Sequence, residues 1–459
     1  MSTADLARQE AGPAAGEASL DLTTPAPDEI TAETSDAIGR ADALIAAAVA
    51  AAGEAERRGK AATFEALFGA LDDAAREVGI AYGRYASQML VASDDAVRDA
   101  AFAANEQIEA WRNAVPMRDD LVGAVGAFER LGGMAGLSDV ERRYAERWQR
   151  DIRLAGGGLP AADREEIGRI SARLVELVSA FQANLAKAPH IRATSDELEG
   201  APDSVRSAAT PIEGEPDAFD VPVNPGTYLG FVERTPNRAL RERAYRAWCT
   251  QGVPQNLPLM RETFELRRRM ARLLGYPSWQ AYRADNLAAQ DAAFINGFVA
   301  DLATHLGPIR DREVAEMTEV LRARPGFPED FVLQDWDWRY ANTIQRDALG
   351  ADAERLSEYF EMDRVLAGLA TLSAEVFGVR LEPRPERTGW DPGVTAYDLV
   401  DVASGRTMAH VFLDPWARTG KQGGAWADWL LPGGGRHGEQ RPPTISLVLN
   451  QARSADGSA

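Results

Sequence analysis

The residues most able to do chemistry lie in one short stretch, residues 414–426 (DPWARTGKQGGAW). The stretch contains two cations, Arg418 and Lys421, and it closes with Gly423, Gly424, Ala425 and Trp426. Cationic side chains form strong hydrogen bonds with carboxylates, and glycine lets a second backbone approach closely. Two alternatives follow for Lys421: it contacts a substrate, or it forms an ion pair that holds the loop.

A catalytic zinc site needs three protein ligands and one open position for water. The motif H-E-x-x-H supplies two ligands and a base, because histidines four apart share one face of a helix. The chain contains no H-E-x-x-H, and it has four histidines, none within a helical turn of another: His190, His305, His410 and His437. We interpret His410 as a packed or surface residue of a strand and His437 as a solvated loop residue. The spacing therefore disfavours a zinc site in this polypeptide.

Four other kinds of functional site are also disfavoured. Asp335 and Asp337 could suggest a glycosidase pair, but side chains two apart on a helix diverge, and an Asp before a helix is typical of a cap. The sequence lacks a Gly-x-Ser-x-Gly elbow, and the glycines at 433–435 lack the Lys-Ser/Thr of a phosphate loop. Cys249, the single cysteine, follows a helical pattern and is interpreted as a buried, inert thiol.

The composition bounds the class of protein. The chain has 459 residues, of which 45% are hydrophobic and 26% charged, as is usual for globular proteins. Its formal charge of −20 argues against nucleic acid or an anionic membrane as a partner. The N-terminus lacks an apolar secretory segment, and no apolar run is long enough to span a bilayer. We therefore expect a cytoplasmic protein.

The pattern of apolar residues predicts a mainly α protein with a small β-sheet near the C-terminus. Residues 1–28 are predicted to be a disordered tail, residues 29–200 an N-terminal helical domain, and residues 201–459 a second helical region that ends in the sheet. Its strands are predicted at 397–402, 407–413 and 444–449. A small sheet needs a covered face to be stable, and we expect the covering element to lie outside the chain.

Several segments resemble the thimet oligopeptidase and peptidyl-dipeptidase family of zinc peptidases. Residues 414–426 are similar to the family's D-x-x-x-R-x-x-K-x-G-G-A-W stretch, and this is the most specific match. Further matches, in the family's order, are residues 181–184 (FQAN), 239–248 (LR-x-x-x-Y-x-A), 265–267 (ELR), 273–279 (LLGY) and 335–340 (WDW). The resemblance covers about residues 31–459. One departure is Asp391, which stands where the family commonly has the His of Trp-His-Pro.

The resemblance implies a neurolysin-like architecture in which long helices wall a deep channel for short peptides. It also implies that residues 414–426 border the active cleft, so Gly423, Gly424 and Ala425 are predicted to bind an extended peptide as an added strand. The alternative is that the two glycines only shape a turn and Trp426 is core. Zinc is the family's cofactor, but none is expected for this chain alone.

Two hypotheses for function remain open. In the first, the chain is the N-terminal part of a zinc oligopeptidase, which ends before the H-E-x-x-H helix, is inactive alone, and has short peptides and a missing C-terminal catalytic segment as its partners. In the second, it is a non-catalytic peptide-binding or interaction protein derived from the same family. The sequence does not distinguish endopeptidase from dipeptidyl-carboxypeptidase action.

Overall fold

The computed structural model describes residues 22–185, 187–289, 291–350, 359–434 and 441–451. Its internal contacts divide the chain into two compact units. The first unit comprises Met1–Gly158 and Phe360–Ala459, and the second comprises Leu159–Tyr359. The chain therefore leaves the first unit and later returns to it. The domain boundary predicted at residue 200 stays a prediction.

The first unit begins with a helical bundle. Its helices are α1 (Pro27–Arg57), α2 (Ala70–Ala81), α3 (Gln88–Val91), α4 (Asp95–Ala114), α5 (Asp119–Arg130) and α6 (Asp139–Ala155), with π-helical turns at Glu65–Gly69 and Tyr82–Ala86 and a 3₁₀ turn at Val115–Met117. Helix α1 buries small residues at a spacing of three or four, including Ala37, Ala41 and Ala48. Small side chains let neighbouring helices approach closely, and the bundle core also contains Leu67 and Phe68.

The predicted tail, residues 1–28, lies mostly outside the described residues, but its last part needs correction. Leu22 is buried against the sheet of the first unit, and its N–H donates to the carbonyl oxygen of Thr388 at 2.8 Å. Pro27 opens α1, and Asp28 and Glu29 occupy its first turn. Proline with its fixed φ and acids near the positive helix end both favour a helix start. Residues 22–28 are therefore packed structure and not a disordered tail.

The second unit is mainly helical with one small antiparallel sheet. In chain order its elements are α7 (Ala161–Leu185), β1 (His190–Ala193), α8 (Ser195–Leu198), α9 (Asp203–Arg206), β2 (Thr210–Pro211), β3 (Phe219–Pro222), α10 (Pro225–Leu229), a π-helical turn (Gly230–Arg234), α11 (Arg238–Cys249), α12 (Asn256–Leu273), α13 (Trp279–Ala284), α14 (Ala292–Arg322) and α15 (Trp338–Ala348). The strand order is β1-β3-β2. Pro222, which has no N–H to donate, lies in the central strand β3. The short β2 pairs only with Phe219 and Asp220, so Pro222 has no strand on that side.

The chain then returns to the first unit and builds a five-stranded sheet. Its elements are α16 (Met362–Phe377), β4 (Val379–Pro383), β5 (Thr395–Asp401), β6 (Thr407–Trp416), β7 (Trp426–Leu431) and β8 (Thr444–Gln451). The order is β4-β5-β6-β8-β7, with β6 and β8 parallel and the other pairs antiparallel. The three predicted strands are confirmed, as is the mainly α fold with a small sheet near the C-terminus. Strands β4 and β7, the two edges, were not predicted.

One face of this sheet is covered by the chain itself, which corrects the expectation of an uncovered sheet. Phe412 and Val448 on this face pack with Leu22, Val91 and Trp390. The strand register places another row of residues on the opposite face, and none of them is fully buried: Tyr397, Val411, Ile445 and Trp429. We call this second surface the open face.

Helix α16 is poorly covered by the described residues. None of its residues is buried, and its exposed apolar side chains are Val365, Leu369, Leu372, Val376 and Phe377. Contiguous exposed apolar surface is uncommon on monomers and usually marks an interaction site.

Among the described residues, no helix is both long and apolar enough to cross a membrane.

Candidate functional site

Asp414, on β6, is the centre of a buried group of charges in the stretch 414–426. Its carboxylate accepts hydrogen bonds from Arg418 at 2.7 and 2.9 Å, from Lys421 Nζ at 2.8 Å and from Trp390 Nε1 at 2.8 Å. We call these four residues the Asp414 cluster. Burial raises the pKa of the Asp414 carboxyl, but the hydrogen bonds from Arg418, Lys421 and Trp390 outweigh burial, so the pKa lies below its ordinary value.

The two cations of the Asp414 cluster also bind backbone carbonyls. Lys421 Nζ donates to the carbonyl oxygens of Asp414 at 3.0 Å and Trp416 at 2.7 Å. Arg418 donates to the carbonyl oxygen of Val91 at 2.6 Å. Burial lowers the pKa of Lys421, and its three acceptors fill its three N–H donors. The structure therefore supports the alternative in which Lys421 holds the loop.

Asp391, the departure from Trp-His-Pro, lies beside the Asp414 cluster. Its carboxylate is 3.4 Å from Arg418 Nε and also accepts the N–H of Gly393 at 2.8 Å. An anion at this position adds to the negative charge facing Arg418. Asp391 therefore takes part in holding the loop.

The Asp414 cluster presents residues 422–425, which we call the glycine loop. Gln422 N–H donates to the carbonyl oxygen of Leu90 at 2.8 Å, and the Asn450 side-chain amide donates to the carbonyl oxygens of Gln422 at 2.8 Å and Gly424 at 2.7 Å. Gly423, Gly424 and Ala425 are exposed. Gly424 has φ +96°, where a side chain would be strained. The glycines thus do shape a turn, while peptide binding by Gly423, Gly424 and Ala425 stays a prediction.

The glycine loop leads directly into β7, an edge strand of the five-stranded sheet. At the far end of β7 this edge is closed, because a Cβ on Gly83 would lie 1.5 Å from the carbonyl oxygen of Leu430. The helical backbone at Gly83 therefore contacts the strand directly. Beside it, Tyr82 OH donates to Asp428 at 2.9 Å, and burial followed by this hydrogen bond raises the pKa of Tyr82 to about 12.

An open cleft of about 620 Å³ lies where α2 passes the end of β7, and we call it the edge cleft. Its walls come from α2, the turn after it, β7 and the loop that follows β7. The residues that line it are Asp72, Asp73, Ala75, Arg76, Gly79, Tyr82, Arg112, Asp428, Trp429, Pro432, Gly433, Gly434 and Arg441. Local sequence patterns do not predict this cleft, because its two groups of lining residues, 72–112 and 428–441, are more than 300 positions apart.

The described histidines are each bound to an acid and do not converge. His410 Nδ1 lies 2.6 Å from Asp398, which also accepts hydrogen bonds from Arg387 and Arg384. His190 pairs with Asp220 at 2.6 Å, and His305, on α14, pairs with Asp301 at 3.3 Å. His437 lies outside the described residues.

The described part of the chain does not fit a zinc ion. It contains no group of three or more His, Cys, Asp or Glu side chains placed to hold a metal. His410 is partly buried among Asp398 and two arginines, so its surroundings already include two cations that oppose a third. We therefore derive no chemical step through a metal on these residues.

Asp337, in the second unit, is a buried structural anion and not a catalytic acid. It accepts hydrogen bonds from Arg241 at 3.1 Å and Arg238 at 2.9 Å, and we call these three residues the Asp337 cluster. The predicted helix start is correct, since α15 begins at the next residue. Asp337 is at the predicted cap position, but its carboxylate faces the two arginines and makes no hydrogen bond to the first turn of α15. The nearby Asp335 accepts a hydrogen bond from Tyr245 at 3.2 Å.

Cys249 is exposed, which corrects the prediction of a buried thiol. Cys249 is the last residue of α11. The buried residues of that helix, including Leu240 and Ala244, all lie earlier in the helix. A hydrogen bond with Cys249 and then burial raise the pKa of Tyr245 to about 12. The helical pattern predicted the helix correctly but not which of its faces the cysteine occupies.

The chain matches the model of "Peptidase family M3" over residues 231–459. It is 28% identical over 380 residues to Oligopeptidase A of Escherichia coli, covering 76% of this chain and 55% of the relative. It is 26% identical over 376 residues to Dipeptidyl carboxypeptidase of Salmonella typhimurium, covering 78% and 54%. For Saccharolysin of Saccharomyces cerevisiae the identity is 23% over 356 residues, covering 73% and 49%. The chain spans about half the length of these relatives.

Proposed function

We propose that this chain, which belongs to peptidase family M3, provides the peptide-binding side of a zinc oligopeptidase that hydrolyses short peptides. The observation that carries the proposal is the stretch 414–426. It lies inside the family match, and a buried ion cluster holds it so that an exposed loop leads into an edge strand. A rigid element of this kind suits a binding site better than a mobile loop does.

The ligand that suits this element is an extended peptide. Edge strands have backbone groups without a strand partner on one side, and a peptide that adds to such an edge gains main-chain hydrogen bonds. Gly423 and Gly424 add no bulk at the approach, and no atom lies within 4 Å of a Cβ built at either. The relatives named for oligopeptide and dipeptidyl carboxypeptidase activity support the same class of ligand.

The zinc ligands are proposed to come from a further polypeptide segment that carries H-E-x-x-H. Two apolar surfaces of the first unit are suited to bind it, the open face of the sheet and helix α16 with Leu369, Leu372 and Val376. The E. coli relative has about 45% of its length outside the match, since the match covers 55% of it. A segment of that size is ample to cover both surfaces.

Hydrogen exchange measured with and without a short peptide tests the binding part of the proposal. We expect an alanine-rich hexapeptide to slow amide exchange in residues 422–429 and to leave α5 unchanged. The variant Gly424→Val should weaken this protection, because a branched residue is strained at φ +96°. Gly168→Val on α7 is a control for the added side chain, since that glycine also has open space around its Cβ position. Unchanged exchange in residues 422–429 at saturating peptide would refute peptide binding at this loop.

A fusion tests the catalytic part. The part of E. coli Oligopeptidase A outside the match would be joined to this chain, and peptide hydrolysis would be assayed in the presence of zinc. We expect hydrolysis by the fusion, slower exchange in α16, and no hydrolysis by the 459-residue polypeptide alone. Peptide binding without hydrolysis by either protein would favour the non-catalytic peptide-binding hypothesis instead.

A further inference from the structure

We propose that the edge cleft binds the free C-terminal carboxylate of a peptide, with Arg76 and Arg112 as the groups that recognise it. This inference rests on the proposed function, because it takes the ligand to be a peptide that lies along the glycine loop and β7. It adds to that function a second, separate site that reads the end of the peptide. A cleft of about 620 Å³ is within the usual size range of small-ligand sites.

The path of a bound peptide leads toward the cleft. Residues 423–429 span about 20 Å as extended chain, which matches a peptide of about six residues. Beyond Trp429 the outer edge of β7 is closed, since the backbone of Gly83 contacts Leu430. A peptide cannot continue to pair with the strand past this contact. Asp428 and Trp429 border the edge cleft, so the end of the peptide would leave the strand there.

Two guanidinium groups line the cleft at this point. Arg76, on α2, is partly buried and has no hydrogen-bond or ion-pair partner among the described residues. Arg112, on α4, lies over the ring of Tyr82 at 5.4 Å and donates to Glu109 at 2.7 Å. The planar guanidinium fork matches a carboxylate in two parallel hydrogen bonds. A partly buried arginine without a partner is therefore a suitable receptor for a terminal carboxylate.

Several of the other charged groups of the cleft already have partners. Three acidic and three basic side chains line it. Of the acids, Asp428 already accepts hydrogen bonds from Tyr82 OH at 2.9 Å and from the N–H of Trp429 at 2.8 Å. Asp73 and Arg441 have partners of their own. Of the three cations that line the cleft, Arg76 is thus the one without a hydrogen-bond or ion-pair partner among the described residues.

Trp429 provides an apolar surface next to these charges. Its side chain is 64% exposed although it is a large aromatic group on a strand. The indole ring offers a broad contact area for an apolar C-terminal side chain. The combination of an aromatic surface and an uncompensated guanidinium favours a peptide that ends in an apolar residue with a free carboxylate.

The test compares one peptide in two forms. The probe is fluorescein-labelled Ala-Ala-Ala-Ala-Ala-Phe, prepared as the free acid and as the C-terminal amide, and binding to the full chain is followed by fluorescence anisotropy. We expect the acid to bind about tenfold more tightly, because hydrogen bonds to charged groups are the stronger ones. Arg76→Gln should reduce this preference to less than about twofold and leave the affinity for the amide nearly unchanged.

Arg57→Gln is the matched control, since Arg57 is an exposed residue at the end of α1 and does not line the cleft. It should keep the preference for the acid, and Arg112→Gln should reduce it. Equal binding of acid and amide by the unmodified chain, or an undiminished preference in Arg76→Gln, would overturn the inference while leaving peptide binding at the glycine loop intact. If neither form binds, the proposed function itself fails. Circular dichroism of each variant verifies that it is folded.

Discussion

The Asp414 cluster and the Asp337 cluster both hold a buried carboxylate, but they differ in how far apart their members lie in the sequence. Each places a carboxylate out of contact with water and neutralises it with two cations. The partners of Asp414 include Arg418 and Lys421, four and seven positions later, so that cluster fixes a loop. The partners of Asp337 lie 96 and 99 positions earlier, so that cluster joins α11 to the start of α15.

The two clusters also differ in the chemistry of their buried cations. Arg241 is fully buried and burial lowers its pKa, yet a guanidinium stays protonated in proteins. Lys421 is also buried, but an ammonium can lose its proton when its partner is removed. Loss of the carboxylate should therefore cost more in the Asp337 cluster, where Arg241 keeps a fully buried charge. In the Asp414 cluster Lys421 can lose its proton, and Arg418 still has Asp391 at 3.4 Å.

The largest effect is expected for Asp337→Ala. It leaves Arg241 buried without its anion, and breaking a buried pair in this way costs about 3–5 kcal/mol. Urea unfolding should show this loss of stability, with hydrogen exchange faster in α11 and α15. Asp335→Ala is the matched control, because its single hydrogen bond from Tyr245 is exposed, and it should cost less than about 1 kcal/mol. Equal losses for the two variants would contradict the buried-pair account.

A smaller loss is expected for Asp414→Ala, about 2–3 kcal/mol, because Lys421 can deprotonate. Exchange should become faster in residues 416–425, which the cluster holds. Asp414→Asn keeps acceptor capacity for Trp390 and should be less severe. A destabilisation as large as that of Asp337→Ala, with Lys421 still protonated, would mean that the two cations do not differ as argued.

Lys421→Met should be milder again, at about 1–2 kcal/mol, because Arg418 and Trp390 still bind the Asp414 carboxylate. The carbonyl oxygens of Asp414 and Trp416 lose their donor, so the glycine loop should exchange faster. We expect peptide affinity to fall by the resulting loss of loop order and not by loss of a direct contact. If peptide affinity disappears while loop exchange is unchanged, Lys421 touches the peptide after all.

The smallest expected effect concerns how the free energy of unfolding depends on pH. The pKa of Asp414 is lower in the folded chain than its ordinary value, so its contribution to stability is present above that ordinary value and is lost as the pH falls through the folded pKa. Asp414→Asn should therefore flatten the loss of stability in acid, measured by urea unfolding from pH 5 to pH 2. The flattening should be partial, because the pKa of Asp398 is also lowered in the fold. An unchanged slope would mean that Asp414 is not ionised in a favourable pair.

The same contrast explains how much the sequence could predict. An ion pair of Lys421 that holds the loop was among the alternatives, but its partner Asp414 was found only in the structure. The Asp337 cluster was missed, since nothing near Asp337 indicates that Arg238 and Arg241 will meet it. Gly83 is a further example, because its need to be glycine comes from Leu430, which is distant in sequence.

For the five-stranded sheet, too, local sequence patterns predicted only part of the structure. Alternating residues predicted β5, β6 and β8, whereas β7 follows a glycine-rich loop and has a weaker pattern. Cover for one face comes from Leu22 and Val91, hundreds of residues earlier, and local patterns carry no such information. The open face of the sheet and the exposed apolar side chains of α16 were not predicted either.

The measurement that tests the account most directly is the zinc content of the purified 459-residue polypeptide after dialysis against zinc-free buffer. If this polypeptide provides the peptide-binding side and a further segment provides the metal ligands, the purified protein should contain far less than one zinc per chain. Near-stoichiometric zinc would contradict it. That result would mean that dispersed residues, with His410 and His437 the first to mutate, form a metal site, and peptide hydrolysis would then have to be assayed with this polypeptide alone.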